Sequence, residues 1–535
     1  MILEGLKGRI RGEILVDSDS RERYSLAECI YRIPPLGAVL PACREDVLEV
    51  LAFARREGIP VTARGAGSAV AGQTLGSGII LDFSRSMNRV LEVRPEEGWA
   101  RVEPGVVLVE LNRTLSAHGL RFAPDPASGD ACTLGGMIAN NSGGPHSIRH
   151  GATRDRVVSL TVALSDGEVI ETRPLPRSEL NPPARDRQAR MARRLAEIVD
   201  PRRETIAAVT PRVNRSSSGY DLLGSVGKES VDLARLVAGS EGTLALILVA
   251  RLALAPLPGA VATALVPFAD LEAMGEGVLA ALRHAPSAVE ALDRSFLDLI
   301  REAGREEARS LPTGTEAILI LEVEGETPSA AAAVLDRLER DLVKGGLAEG
   351  MIRGMDEASR RRLWEIRKAA SPILAARGAG RRSTRFIEDA CVPTERLPRF
   401  LREIRRILAE HRLDAAIFGH AGDAILHVNP FLDPGDPEVG PRMEQIAAEY
   451  GERVLSLGGS LSGEHGDGRL RTPFLSRAFG EAAGIFREVK ELFDPGGILN
   501  PGIKIHDGRS RMWDHLDLGP RRSAFAVPVG TEEMT

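Results

Sequence analysis

The chain has 535 residues, 43% of them hydrophobic, and 69 basic against 75 acidic side chains give it a net charge of −6. That length exceeds what one hydrophobic core usually serves, so two or more domains are expected. Lys and Arg are spread among acids rather than run in blocks, which argues against a general basic surface and against nucleic acid as a partner.

The four cysteines, Cys29, Cys43, Cys132 and Cys391, are scattered, with no C-x-x-C spacing for zinc or an iron–sulfur cluster, and imply a reduced, cytoplasmic setting. The opening MILEGLKGRIRGEIL lacks the apolar core of a signal peptide. The most apolar run, TLALILVARLALAPLP, is broken by Arg251 and is too short to span a bilayer. Any membrane contact is therefore expected to be peripheral, at the inner face, and the sequence leaves oligomeric state open, a homodimer included.

In chain order, REDVLEVLAFARREG has the apolar spacing of an amphipathic helix ended by Gly58, after which PVTARGAGSAVAGQ breaks into a glycine loop before the strand GIILDF. RVLEVRPEEGWARVEPG and VVSLTVALSDGEVIET each place turn residues between two strand-like runs. RDRQARMARRLAEIVDPRR reads as a charge-dense inserted helix with a solvated face. From about Pro256 longer helices take over, in SAAAAVLDRLERDLVKGG, DEASRRRLWEIRKAASPILAARG and RLPRFLREIRRILAEHR, interleaved with strands such as EAILILEVEGE, so a second domain is expected there. The tail after Ile505 reads as irregular and dispensable.

RGAGSAVAGQ places Gly65, Gly67 and Gly72 off the G-x-G-x-x-G spacing of a Rossmann fold, and no P-loop lysine follows. Consecutive amides in a glycine turn can still wrap a pyrophosphate. The stretch 123–155, rich in Gly, Asn, Ser and Pro without helical periodicity, is far longer than a plain connection and suits a ligand-wrapping loop. Near the end, SGEHGDG sets a carboxylate beside an imidazole, Glu464 and His465, in a turn that could have used Gly, Asn and Ser alone.

Seven motifs in order, PVTARGAGSAVAGQ, PDPASGDACTLGGMIANNSGG, GSEGTL, LWEIRK, GHAGDAILHVNP, SGEHGDGRLRTPFL and LFDPGGILNPGIKI, cover nearly the whole chain. Together they resemble the FAD-dependent D-2-hydroxyacid dehydrogenases of the vanillyl-alcohol oxidase (PCMH) type. That group includes D-lactate dehydrogenase, glycolate oxidase catalytic subunits and D-2-hydroxyglutarate dehydrogenase. The resemblance implies an α+β protein: a two-part FAD-binding domain (1–258), a cap domain with an antiparallel sheet (259–460), a C-terminal segment returning to the flavin (461–506) and a tail (507–535). It implies a pyrophosphate loop of Arg64, Gly65, Ala66, Gly67 and Ser68 with Gly72 and Gln73. A second FAD loop holds Pro124, Asp125, Ser128, Thr133, Gly135, Gly136, Asn140, Asn141 and Gly144, and Glu241, Gly242 and Asn500 complete the site. Some relatives tether FAD through His or Cys. The pyrophosphate loop offers neither, and His146 and Cys132 in the second loop read as local packing groups, so non-covalent FAD is expected.

AAIFGHAGDAILHVNP reads as strand, turn, strand, with the midpoint between His420 and His427 inside the turn, so the two imidazoles are expected to face each other at the roughly 5 Å of cross-strand neighbours. With Glu464 they form a two-His-one-carboxylate set with open positions, which favours zinc over magnesium and also admits iron or manganese. The resemblance places the metal at the same three positions. His465, expected to point elsewhere, is then the catalytic base for the substrate hydroxyl. Arg367 matches the family's substrate arginine, Ser371 lies one helical turn on, Asn429 is expected as a further substrate contact, and Tyr220 resembles a family position near the pocket. The family's D-2-hydroxyglutarate members carry a lysine near FIED, where this chain has Arg385, Phe386 and Ile387, so the exact acid is open.

The expected activity is oxidation of a small D-2-hydroxy acid, such as D-lactate, glycolate or a D-2-hydroxyglutarate-like acid, to the 2-oxo acid. Long relatives continue into a cysteine-rich iron–sulfur domain, and the sequence stops before one. A separate acceptor, an iron–sulfur protein, quinone, cytochrome or electron-transfer flavoprotein, is therefore expected to collect the electrons. The alternatives are a non-catalytic FAD-binding subunit of a larger glycolate oxidase-type complex, and a metallohydrolase acting through His420, His427, Glu464 and His465.

Overall fold

A computed structural model of the chain describes residues 2–180, 186–302, 311–312, 314–368 and 382–519. The first helix of the glycine-loop region, Arg44–Glu57, buries Val47, Val50, Leu51 and Ala54 on one face and stops at Gly58, whose φ of 65° needs a residue without Cβ. It covers a four-stranded sheet in the order Glu13–Leu15, Gly37–Leu40, Ile79–Asp82, Val61–Arg64, the last three parallel. The two expected hairpins form and join strand Leu246–Ala253 in a second, five-stranded antiparallel sheet, ordered Val90–Arg94, Trp99–Val102, Leu246–Ala253, Val157–Ala163, Val169–Thr172.

From Ala260 the chain builds an eight-stranded antiparallel sheet, running from Ile352–Gly354 through Ala260–Phe268, Ala317–Gly325, Ala288–Asp293, Ala415–Gly419 and Ile425–Leu432 to Arg382–Ser383, with Ala390–Cys391 also pairing the 425–432 strand. Its apolar face packs on the helices Leu271–Leu282, Pro328–Glu339 and Leu397–Glu410. The mixed α+β architecture with an antiparallel cap sheet is thus the one expected. The chain then returns to the first half: helix Ala482–Phe493 contributes Ile485, Phe486 and Val489 to the core of the five-stranded layer. Leu499 bridges to Val61.

Two expectations are met in part. The charge-dense helix Arg187–Val199 has the expected solvated face, where its arginines fan outward, but its other face is core: Ala189, Met191, Ala192, Leu195, Ala196, Ile198 and Val199 are buried there. The tail is irregular as expected, but its described part, up to Gly519, is anchored to the first half. Tyr31 Oη donates to the Met512 carbonyl at 2.7 Å, Asp517 N–H donates to the Ile30 carbonyl at 2.8 Å, and Met512 is fully buried. Single anchors of this kind leave no periodic signal. Among the described residues no helix is long and apolar enough to cross a membrane.

Candidate active site

One cavity of about 380 Å³ is lined both by the glycine loops of the first half and by the histidines of the cap. On the first side the loop after strand Val61–Arg64 lies directly against the second loop: a Cβ on Gly65 would fall 2.1 Å from Thr133 Oγ1, and one on Gly67 (φ 74°) 2.4 Å from Arg64 Nη2. Arg64 is buried over the Tyr24 ring, and its Nη1, like Gln73 Oε1, is buried without a hydrogen-bond partner among the described residues. Burial lowers the Arg64 pKa, the Asp82 carboxylate notwithstanding. A buried, partly unpartnered guanidinium at a glycine loop suits a phosphate anion, so these residues fit FAD.

Of the predicted FAD residues, Gly72, Pro124, Asp125, Asn141, Gly144 and Asn500 do not line the cavity, while the others do. Asn500 braces the wall, its Nδ2 donating to the carbonyls of Gln73 at 2.9 Å and Glu241 at 2.8 Å. Gly72 packs on Tyr31 and Gly144 on Asp125, while Asn141 accepts the Arg154 N–H at 2.9 Å. Asp125 holds His146, which also reaches Glu322 of the cap at 2.7 Å. His146 thus bridges the two domains outside the cavity lining. Cys132 does line the cavity, with its thiol pushed up to about 11 by burial.

On the cap side the hairpin forms with an altered pairing. His427 stands opposite Phe418, and His420 follows the first strand as the entry to a short turn. The rings nevertheless meet edge to face, 5.5 Å between centroids. His420 Nε2 lies 2.9 Å, His427 Nε2 3.6 Å and His465 Nε2 3.7 Å from the same oxygen, Glu464 Oε1. His465 therefore does not turn away from Glu464; its ring stacks on His427 at 4.9 Å and stays 29% exposed. Donor atoms of His420, His427 and Glu464 all fall within 4.8 Å of one another.

The outward nitrogens of these rings are taken by carboxylates that sequence reasoning missed. Glu290, at the centre of the buried strand Ala288–Asp293, accepts His420 Nδ1 at 2.6 Å and Arg367 Nε at 2.8 Å. The pairing of Ala390–Cys391 with Ile425 and Leu426 draws in Glu388, whose Oε2 lies 3.2 Å from His427 Nδ1 and 2.6 Å from His465 Nδ1. An acid set among apolar residues, Glu290 in AVEALD or Glu388 in FIED, is the signal the sequence offers. Buried Arg215 adds a cation 3.4 Å from Glu464 Oε2. Asp389 accepts the N–H groups of Glu464 and His465 and the Ser462 hydroxyl, fixing the loop.

These partners set the charges. Burial alone would push both rings down, but Glu290 and Glu464 lift His420 to about 10, and Glu388 and Asp389 lift His465 to about 9. Burial wins at His427, whose pKa is lowered. Burial likewise works against an ionised Glu464, yet His420 and Arg215 hold it well below the usual carboxylate range. Two imidazole Nε2 atoms and a carboxylate oxygen, each with its rear partner in place, form a donor set that fits a divalent ion.

Arg367 rests over the Phe418 ring at 4.8 Å and lines the cavity beside Asn429, whose buried Oδ1 has no partner among the described residues. Tyr220 does not line the cavity; its hydroxyl pairs with Thr243 Oγ1 at 2.7 Å and its ring packs on Phe486 in the core. An aromatic in a Ser/Gly run can pack either way, and here the core takes it. Ser371 lies outside the described residues.

Residues 35–173 match the family described as FAD binding domain, and 257–503 that described as FAD linked oxidases, C-terminal domain. The chain is 34% identical to D-2-hydroxyglutarate dehydrogenase of Escherichia coli (strain K12) over 519 residues, 92% of this chain and 50% of that protein. It thus spans about half the length of that relative. It is 30% identical to glycolate oxidase subunit GlcD of Bacillus subtilis (strain 168) over 494 residues, 90% of this chain and 92% of that one. The fold matches 4-ethylphenol oxidase from Gulosibacter chungangensis with a TM-score of 0.66 at 17% identity, covering 95% and 97% of the two chains. It matches an alkyldihydroxyacetonephosphate synthase with a TM-score of 0.63 at 17% identity, covering 94% and 84%. The chain belongs to the FAD-linked oxidase family.

Proposed function

We propose that the chain is an FAD- and metal-dependent dehydrogenase that oxidises a small D-2-hydroxy acid to the 2-oxo acid. The observation that carries this reading is the convergence of His420, His427 and His465 on one oxygen of Glu464, in the wall of the cavity that the glycine loops also line. Arg64 to Ser68, the second loop and Glu241–Gly242 would hold FAD without a covalent bond; His420, His427 and Glu464 would hold the ion, with zinc favoured. The chemistry these groups supply when bound is hydride acceptance at the flavin and Lewis-acid polarisation of the 2-hydroxyl.

The chain's own residues do the rest. Arg367, steadied by Glu290 and Phe418, binds the substrate carboxylate, and Asn429 adds a polar contact. His465, whose pKa of about 9 a bound cation would lower, takes the hydroxyl proton at Nε2 as the C2 hydride leaves, and Glu388 offsets the charge that arrives on the ring. Carboxylate, hydroxyl and C2 hydrogen are then held at three points, which motivates D selectivity. The name of the GlcD relative describes that protein as a subunit; it supports passage of electrons to a separate partner, whether iron–sulfur protein, quinone, cytochrome or electron-transfer flavoprotein. Acids of the D-lactate, glycolate and D-2-hydroxyglutarate kind are the candidate substrates.

Two neighbouring substitutions test the assignment. Glu464→Ala should lower metal content and weaken substrate binding while flavin stays. His465→Asn should keep metal and flavin while flavin reduction slows by about 100-fold or more. Full metal in Glu464→Ala, or a parent rate in His465→Asn, would show the roles to be wrong.

A further inference from the structure

Glu388 is 2% exposed and sits where three elements meet: the strand Ala390–Cys391 that follows it, the strand carrying His427, and the SGEHGDG loop. Its two oxygens are used differently. Oε2 faces both His427 Nδ1, at 3.2 Å, and His465 Nδ1, at 2.6 Å. Oε1 is anchored at 2.5 Å by Arg471 Nη2, which also donates to the Glu388 carbonyl at 2.7 Å, while Arg471 Nη1 donates to the Gly466 carbonyl at 2.6 Å. Arg471 is itself 5% exposed, so the carboxylate cannot turn away into water. Glu388 and Asp389 also fall with His427 and His465 in a second grouping of the kind that holds ions. Asp389 spends its oxygens on the Glu464 and His465 N–H groups and the Ser462 hydroxyl, so the grouping serves as a scaffold.

We propose that Glu388 is the positioning residue shared by the catalytic base and a metal ligand, one oxygen holding the Nδ1–H of both His465 and His427 so that each ring presents Nε2 to Glu464 and the cavity. This rests on the reading of His465 as the base. The rear hydrogen bond fixes the tautomer: with the proton kept on Nδ1, Nε2 carries the lone pair that ligation or proton abstraction requires. In the reaction the substrate O–H bond breaks and an N–H bond forms at His465 Nε2, while the Nδ1–H stays on the ring, donated to Glu388. Because the two stacked rings share one acceptor, the geometry of the base is tied to that of the metal site.

Glu388→Gln keeps size and shape but can offer an N–H where an acceptor is needed, which favours the opposite tautomer. Two readouts on the flavin-loaded protein are required. In competition with a zinc chelator, the variant should bind zinc about 10-fold or more weaker, as loss of such a rear partner does. In rapid-reaction flavin reduction at saturating zinc and substrate, Glu388→Gln should slow the parent by about 100-fold but the His465→Asn protein by less than about 3-fold, because the residue acts through that imidazole. Should Glu388→Gln lose flavin or unfold, Glu388→Asp, which keeps charge and withdraws the oxygen by one methylene, is put through the same cycle with the same criteria. Equal slowing in both backgrounds, or unchanged zinc affinity, would overturn the proposal and leave the base assignment standing. A His465→Asn protein that reduces its flavin at the parent rate would overturn both.

Discussion

Lys504→Met would take a cation out of a fully enclosed site between the flavin loop and the SGEHGDG loop. The side chain is 0% exposed, with Nζ 2.9 Å from Glu241 Oε1 and 2.8 Å from Asp467 Oδ2, and it also donates to the carbonyls of Ser217 at 3.0 Å and Gly219 at 2.9 Å. Methionine nearly fills the same volume, so the loss is electrostatic: two buried carboxylates face each other without a counter-ion. Breaking a buried pair in this way costs about 3–5 kcal/mol. At 2–4 °C per kcal/mol for a domain of this size, the first thermal transition should fall by roughly 6–20 °C. The pH dependence has a definite sign. The partners raise the Lys504 pKa, so the stability it contributes is present below the ordinary lysine range and is lost only as pH rises through the raised value. Burial already raises the Glu241 carboxyl, and without the ammonium it rises further; the variant should take up a proton there and lose more stability as pH increases. Scanning fluorimetry and the flavin-to-protein ratio at about pH 5 and about pH 8 measure this, with the larger deficit expected at the higher pH. A shift below about 2 °C with full flavin content would show that the buried ammonium does not hold these two carboxylates in place.

Arg367→Met should raise KM for 2-hydroxy acids about 100-fold or more with flavin and metal retained, since it removes the charge-assisted fork and frees Glu290 to hold only His420; steady-state kinetics with a dye acceptor decide it. Acid precipitation of the purified protein should release the yellow colour into solution, because no thiol or imidazole of the pyrophosphate loop can tether it; a coloured pellet would implicate Cys132, which lines the cavity. Burial works to raise Glu324, yet His150 and Arg121 hold it at about 2, so it stabilises the domain interface above the ordinary glutamate pKa and ceases to do so as pH falls toward that value. Glu324→Gln should therefore lower the denaturation midpoint at neutral pH, with the gap to the parent closing below about pH 4.5; a gap independent of pH would contradict this.

Much of the architecture was legible because it is written in local patterns. The 3.6-residue spacing of Val47, Val50, Leu51 and Ala54 and the stop at Gly58 give the helix, and turn residues between β-branched runs give both hairpins. His420, His427 and Glu464 could be singled out as unusual side chains in turn or strand contexts. Their rear partners could not: Glu290 lies 130 residues from His420, and Lys504 closes contacts with a loop 287 residues away. Buried charges of this sort gain meaning only from tertiary partners, so a single sequence shows them as stray acids and bases. The buried face of the charge-dense helix stays hidden for a related reason, since four arginines on one face outweigh, in composition, the small and aliphatic residues of the other.

The joining of a flavin to a metal-assisted base for D-2-hydroxy acids in one cavity stands or falls on flavin reduction. Its most direct test is the flavin absorbance of the purified, zinc-loaded protein mixed anaerobically with the D and L forms of lactate, malate and 2-hydroxyglutarate. Bleaching by at least one D acid is expected, abolished by prior removal of zinc, with little or none by its L partner. Equal bleaching by both enantiomers, or bleaching that survives metal removal, would contradict it.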